Sequence, residues 1–205
     1  MLECTVFSPV KRFGSNCYVL KSDDEYCIID PSVEYEAVKA RLGDIANRVR
    51  YIILTHSHFD HILELDSWID KTGVLPTVSE ACRENLKDPR INCYYTLLGI
   101  DKGYFGKTHI VGEGDVLPFG DTQLSFILTP GHTNCSVSVI CDGCIFVGDT
   151  IFSHGMYGRY DLPTSDVDSL RSSISRILSF DCDYKIMPGH SEPTDVVTAR
   201  KYTYL

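Results

Sequence analysis

The stretch Tyr51-Ile52-Ile53-Leu54-Thr55-His56-Ser57-His58-Phe59-Asp60-His61 decides how this chain is read. It opens on an apolar run and closes with four metal-binding side chains inside six residues, 56–61. Residues two apart point away from each other on an α-helix but share a face in extended backbone. A strand over 50–55 therefore predicts that His56 and His58 converge where the strand ends. Asp60 and His61 follow in the turn, ahead of a helix-like spacing of Ile62, Leu65 and Ile69. Neutral imidazoles and carboxylates are the ligands of zinc and other borderline divalent ions. Any one of these residues alone reads as a structural histidine or a solvated turn; all four together read as a ligand cluster.

Three further turns repeat the pattern: Thr129-Pro130-Gly131-His132-Thr133, Val147-Gly148-Asp149-Thr150 and Met187-Pro188-Gly189-His190. Each places a His or Asp just after a short apolar strand candidate (Leu124–Leu128, Cys144–Val147, Tyr184–Met187). Glycine beside the ligand suits a sharp turn with close backbone approach. Five of the seven histidines (His56, His58, His61, His132, His190), with Asp60 and Asp149, thus sit at strand ends or in the turns that follow. That is the number and chemistry of ligands for two metal ions sharing a carboxylate. His109 and His154 stand outside the pattern. His109 reads as structural, and His154 as a residue of the pocket mouth.

On these motifs the chain resembles the metallo-β-lactamase-fold hydrolases, in the branch similar to glyoxalase II (hydroxyacylglutathione hydrolase). The likeness runs from Asn16-Cys17-Tyr18-Val19 and Ile28-Ile29-Asp30-Pro31 to Pro188-Gly189-His190. It implies an α/β (α+β) fold, a four-layer αββα sandwich of two mixed β-sheets flanked by helices, with the metals at one edge. It also implies roles: His56, His58 and His132 on a first ion, Asp60, His61 and His190 on a second, and Asp149 bridging both. A water or hydroxide between the ions is then the nucleophile, with Asp60 and Asp149 as the catalytic carboxylates. The cofactors expected are two divalent ions, zinc first, with iron or manganese as alternatives. The segment Tyr157-Gly158-Arg159-Tyr160-Asp161 resembles the Gly-Arg-x-Asp stretch after the bridging Asp, so Tyr157, Arg159 and His154 are candidate pocket residues, with Arg159 and Asp161 a buried pair. The long C-terminal helical region that supplies glutathione contacts in full-length glyoxalase II has no counterpart in this sequence. The expected reaction is hydrolysis of a small thioester or ester. The alternative is a persulfide dioxygenase with one iron, which metal content and oxygen uptake would distinguish. Asp149 stands where a β-lactamase proper commonly has a Cys, which argues against antibiotic hydrolysis.

Composition fits a compact enzyme. With 205 residues, 43% of them hydrophobic, the chain can bury a sizeable core as a single domain with two similar halves, about 1–107 and 108–205. A net charge of -9 argues against a nucleic-acid partner. No apolar run is long enough for a membrane span, and the first residues carry no signal-peptide pattern. The expected partner is a small molecule, and the default location is cytoplasmic.

The halves read alike. Strands are expected at 2–8, 16–21, 25–30, 50–55 and 75–78, then at 108–111, 116–119, 123–129, 135–141, 144–148 and 184–187. Helices are expected over 34–46, from 62 to a C-cap at Gly73, after Ser79, and over 166–179 with Ser165 and Asp168 as a capping box. Residues 88–107 fit least well. Their glycines and aromatics (Tyr94, Tyr95, Tyr104, Phe105) suit a lid, an ordinary surface excursion, or the contact of a homodimer. Of the nine cysteines, most fill apolar strand positions. Cys141-Asp142-Gly143-Cys144 reads as a two-residue hairpin with opposed, reduced thiols.

Overall fold

In the computed structural model, which describes residues 2–8 and 13–203, two six-stranded mixed sheets pack face to face. The first sheet runs in chain order: β1 (Glu3–Phe7), β2 (Cys17–Ser22), β3 (Glu25–Ile29), β4 (Val49–Ile53), β5 (Pro76–Val78) and β6 (His109–Ile110). Helix α1 (Tyr35–Leu42) joins β3 to β4, α2 (Leu65–Thr72) and α3 (Glu80–Asn85) flank β5, and α4 (Tyr94–Leu98) precedes β6. The second sheet holds β7 (Val116–Phe119), β8 (Thr122–Leu128), β9 (Val137–Cys141), β10 (Cys144–Gly148), β11 (Lys185–Pro188) and β12 (Thr194–Asp195). Helix α5 (Val167–Leu178) connects β10 to β11, and α6 (Val196–Tyr202) follows β12.

The four layers follow from where apolar side chains fall. Tyr18, Leu20, Ile29 and Ile53 of the first sheet meet Phe126, Val139 and Phe146 of the second, forming the seam between sheets. The other face of the first sheet (Val19, Ile28, Ile52) packs on Val38 and Trp68 of the helices. The other face of the second (Ile127, Ile145, Ile186) packs on Leu170, Ile174 and Val196. Each strand buried on both faces reads as a nearly continuous apolar run, as Cys27-Ile28-Ile29 does. Truncating a seam residue such as Phe126, fully buried, would cost about 3–5 kcal/mol.

The halves share a strand grammar. β1–β4 pair antiparallel, antiparallel, parallel, and β8–β11 do the same. Several boundaries differ from expectation. The strand expected at 108–111 pairs in parallel with β5, so it closes the first sheet and the second begins at Val116. The helix expected over 34–46 stops at Leu42, where Gly43 takes a positive φ, and a short 3-10 turn (Ala46–Arg48) leads into β4. The cap of α5 is Asp166, whose carboxylate accepts from Ser169 N at 2.7 Å, one residue after the expected Ser165. Ser165 instead donates to His132 O at 2.8 Å, tying the helix start to a ligand turn. Gly73 caps α2 in the left-handed region, and Ser79 caps α3 by accepting from Cys82 N, both as the sequence predicts.

The hairpin reading of Cys141-Asp142-Gly143-Cys144 matches the structure: the two cysteines are register partners, both thiols are free, and Asp142 and Gly143 have positive φ. Among the described residues, no helix is long and apolar enough to cross a membrane.

Candidate metal centre

Every strand that feeds the site ends at the same edge. Four ligand candidates come from the loop after β4, His132 from the turn after β8, Asp149 from the residue after β10, and His190 from the turn after β11. The structure brings all seven together. Three overlapping groups have ligand atoms within 4.8 Å of one another: His56, His58 and His132; His56, His61 and Asp149; Asp60, His61 and His190. His58 Nδ1 and His132 Nε2 are 2.9 Å apart. Asp149 spans the groups, with Oδ1 3.2 Å from His61 Nε2 and Oδ2 3.5 Å from both His132 Nε2 and His190 Nε2. Asp60 Oδ2 lies 3.0 Å from His190 Nε2.

The donor set fits divalent ions on physical grounds. His56 Nε2, His58 Nε2, His61 Nε2 and Asp149 Oδ1 are buried with no hydrogen-bond partner; the His61 and Asp149 atoms face each other without hydrogen-bond alignment. Orphaned polar atoms of this kind cost about 1–3 kcal/mol each unless something coordinates them. The backs of the rings are held. His132 Nδ1 lies 2.8 Å from Arg159 O and His61 Nδ1 2.8 Å from Asp30 Oδ2, so each N–H donates outward and leaves the Nε2 lone pair facing inward.

The electrostatics divide the site. Burial, reinforced by the neighbouring imidazoles, holds His56 well below the usual histidine range. Burial and His132 push His58 down to about 3. These rings are neutral, the form that ligates. Around His61 burial acts to lower the pKa, but Asp30, Asp149 and Asp60 outweigh it and hold the ring well above its ordinary value. His190 is raised in the same way by Asp149 and Asp60. For Asp149 and Asp60, burial alone would raise the pKa; His61 and His190 outweigh it and keep both carboxylates low. The second group therefore concentrates negative charge, and a field that favours positive charge on these imidazoles also favours a cation between them.

Two glycines make the close approach feasible. A Cβ on Gly189 would run into the Asp149 carboxylate and the His61 ring, and one on Gly158 into Asp149 O and the His132 ring. Both glycines stand in segments the sequence singles out, but the close approach at Gly158 shows only in the structure.

Asp30, Asn16 and Asn92 are supports that sequence reading missed. Asp30 is buried with φ 54°; its Oδ1 accepts from Thr55 N (2.8 Å) and its Oδ2 from Thr55 Oγ1 (2.7 Å) as well as from His61. Its carboxylate thus fastens both ends of the ligand loop. Asn16 Nδ2 donates to Pro188 O (3.0 Å) and Ser191 O (2.9 Å), and Asn16 N to Gly189 O (2.7 Å), so it brackets the His190 turn. Ser15 N donates to Asp60 O at 3.1 Å, so the same short strap reaches the other half of the second group. Ser191, within that turn, has φ 73°, the conformation glycine tolerates best. Asn92 is fully buried and its carbonyl accepts from Phe59 N (2.8 Å), between His58 and Asp60. For Asp30 and Asn16 the available signal was an isolated Asp or Asn beside an apolar strand; Asn92, in the loop before α4, offered no such signal.

A cavity of about 640 Å³ opens over the centre, with His58, Asp60, His132, Asp149 and His190 at its floor. Tyr157 and Arg159 line it; His154 does not, and instead sits exposed in a 3-10 turn. Arg159 and Asp161 do form a pair (2.8 and 2.9 Å), but exposed rather than buried as expected, because both side chains point to solvent at the rim. His109 lies exposed at the sheet edge in β6. The aromatics of 92–105 form no lid over the cavity. Tyr94 is buried against Phe59 (5.6 Å between centroids), Tyr104 packs on the core, and Tyr95 and Phe105 face solvent; the segment reaches the cavity through Cys93, Leu97 and Leu98.

Comparison with known proteins agrees with this geometry. Residues 10–190 match the family model of the Metallo-beta-lactamase superfamily. The "Probable metallo-hydrolase YqgX" of Bacillus subtilis (strain 168) is 32% identical over 194 residues, covering 93% of this chain and 91% of that one. The "Hydroxyacylglutathione hydrolase GloC" of Haemophilus influenzae is 29% identical, covering 92% and 91%. The crystal structure of the BLEG-1 B3 metallo-beta-lactamase has a TM-score of 0.88 at 29% identity, covering 99% of this chain and 98% of that one.

Proposed function

The chain belongs to the metallo-beta-lactamase superfamily, and from that membership we propose that it hydrolyses small thioesters or esters at a dinuclear His/Asp centre of the glyoxalase II kind. The observation that carries this reading is the position of Asp149, one oxygen toward His61 and the other toward His132 and His190. The donor atoms of Asp60, His61 and His190 also converge, which supports a second ion beside the first. The relative named as a hydroxyacylglutathione hydrolase supports the thioester as the bond attacked.

In this reading His56, His58 and His132 hold one divalent ion, Asp60, His61 and His190 the other, and Asp149 both. Zinc, iron and manganese all accept such a set. Bound there, the ions would acidify an attacking water and polarise the substrate carbonyl. The chain's residues do the rest. Asp60, kept ionised beside His190, faces the cavity and accepts a hydrogen bond from the attacking water, aiming its lone pair at the carbonyl carbon. Asp30 and Arg159 O fix two imidazoles so that they do not swing during turnover. Water adds to the carbonyl, the C–S or C–O bond breaks, and an acid and a thiol or alcohol leave.

The test pairs metal analysis of protein from its native host with a panel of thioesters, lactones, phosphoesters, a β-lactam and a thiol persulfide, followed with an oxygen electrode. The expected result is two metal equivalents and thioester or ester hydrolysis without oxygen uptake. One iron per chain with oxygen consumption would make it a persulfide dioxygenase, and preference for the β-lactam would make it a lactamase.

A further inference from the structure

The floor of the cavity is polar and its walls are not. Phe13, Leu97, Phe152, Met156 and Leu162 surround the ligand cluster. Three of these wall residues are conspicuously exposed for their type: Phe13 at 51%, Leu97 at 48% and Met156 at 64%. Scattered exposed apolar residues need no explanation, but several rimming one polar centre mark a binding surface.

The wall carrying Leu97 is built to stay in place. Cys93 (φ 67°) and Gly99 (φ 69°) bracket α4 in left-handed conformations. Asn92 accepts from Tyr94 N (3.0 Å) and donates to Leu86 O (3.1 Å) and Lys102 O (3.0 Å). Its carbonyl is also bonded to Phe59 N of the ligand loop, so this wall and the metal loop move as one.

Charge at the rim is equally informative. Among the described residues, Arg159 is the one lysine or arginine that lines the cavity, and Asp161 takes its guanidinium in a two-pronged pair. The pair is solvent-exposed, and Asp161 offsets the guanidinium charge that an anionic thiol carrier, such as a peptide with free carboxylates, would otherwise meet in full.

We infer that the substrate presents an apolar acyl or aryl group to the Phe13, Leu97 and Met156 walls, and that its thiol or alcohol portion is not selected by charge. This rests on the proposed hydrolase reading and narrows it to one substrate class. Leu97 is then a specificity-determining residue.

Binding separates this inference from the reaction itself. Inert thioethers of one neutral thiol, S-ethyl, S-butyl and S-hexyl N-acetylcysteamine, would be titrated calorimetrically into the metal-loaded protein. Affinity should rise about threefold per added methylene, as burial of apolar surface predicts. L97D, at a half-exposed position, should flatten that slope while metal content stays at the wild-type level. S-hexylglutathione should bind within about threefold of its neutral analogue, since among the described residues the one cation at the cavity is exposed and already paired with Asp161. An affinity independent of chain length, or a tenfold preference for the glutathione conjugate, would overturn the inference even if thioesters are hydrolysed. Conversely, a chain-length series that holds while the whole substrate panel goes unhydrolysed would retain the apolar subsite and remove the hydrolase reading.

Discussion

Asp30 and Asp149 occupy the same place in the two halves, one residue beyond the third strand of an antiparallel, antiparallel, parallel run. Both are buried, yet they act from opposite sides of the centre. Asp149 faces the tips of three imidazoles, whereas Asp30 holds the back of His61 and the backbone of Thr55. The difference follows from what comes after the fourth strand. β4 runs into a loop bearing four candidate ligands, which needs an internal brace. β11 runs into a tight Gly189-His190 turn bearing one, and that turn is braced from outside by Asn16. One strand grammar thus yields a ligand in one half and a support in the other.

The sharpest way to break this comparison is to remove each carboxylate in turn. Asp149→Ala should lower hydrolysis on the order of a thousandfold or more and drop metal content below two equivalents, because it takes away the group shared by both sites. Asp30→Asn keeps one acceptor but removes the charge behind His61. It should cost about 10- to 100-fold in metal affinity or turnover, the scale of outer-layer changes, while the first ion stays bound. Equal effects in the two variants, read by metal analysis and kcat/KM, would mean the halves are not divided into ligand and support.

Asn16→Ala sharpens the same point at the junction of the halves. It leaves Ser191 O without this donor, while Pro188 O keeps the Tyr18 hydroxyl at 2.7 Å, and should cost about 1 kcal/mol of stability in denaturant unfolding. Metal titration should show only the ion at Asp60, His61 and His190 weakened, since none of the Asn16 bonds reaches His56, His58 or His132.

Much of the centre was legible in the sequence because ligand residues sit directly after apolar strands, where period-2 patterning and turn glycines both register. The supports were not legible in the same way. Asp30 acts on partners 25 and 31 residues away, and Asn16 on partners 172 and 175 away, so no local window contains the bond. Short elements were missed for a related reason. α4, β12 and α6 are five, two and seven residues long, and tertiary hydrogen bonds rather than propensity hold them. Of the readings open for 92–105, the surface excursion with aromatics on the core is the one the structure shows rather than the lid, because buried Asn92 pins the segment and turns Tyr94 into the core.

The smallest effect is expected where the halves differ without consequence. Ser22-Asp23-Asp24-Glu25 and Cys141-Asp142-Gly143-Cys144 are equivalent two-residue hairpins, and the first needs no cysteine at either flank. Replacing Cys141 and Cys144 together with Ala should leave metal content and kcat/KM within about twofold, as expected for thiols that act as small hydrophobes. Loss of a metal equivalent in that variant would show the pair to be ligands.

Whether Asp149 joins two ligand groups into one centre can be read by manganese titration of metal-stripped protein followed by electron paramagnetic resonance. Two equivalents should bind, with an exchange-coupled spectrum that collapses to that of an isolated ion in Asp149→Ala. One equivalent at saturation, or two ions that give independent spectra in the unaltered protein, would contradict it.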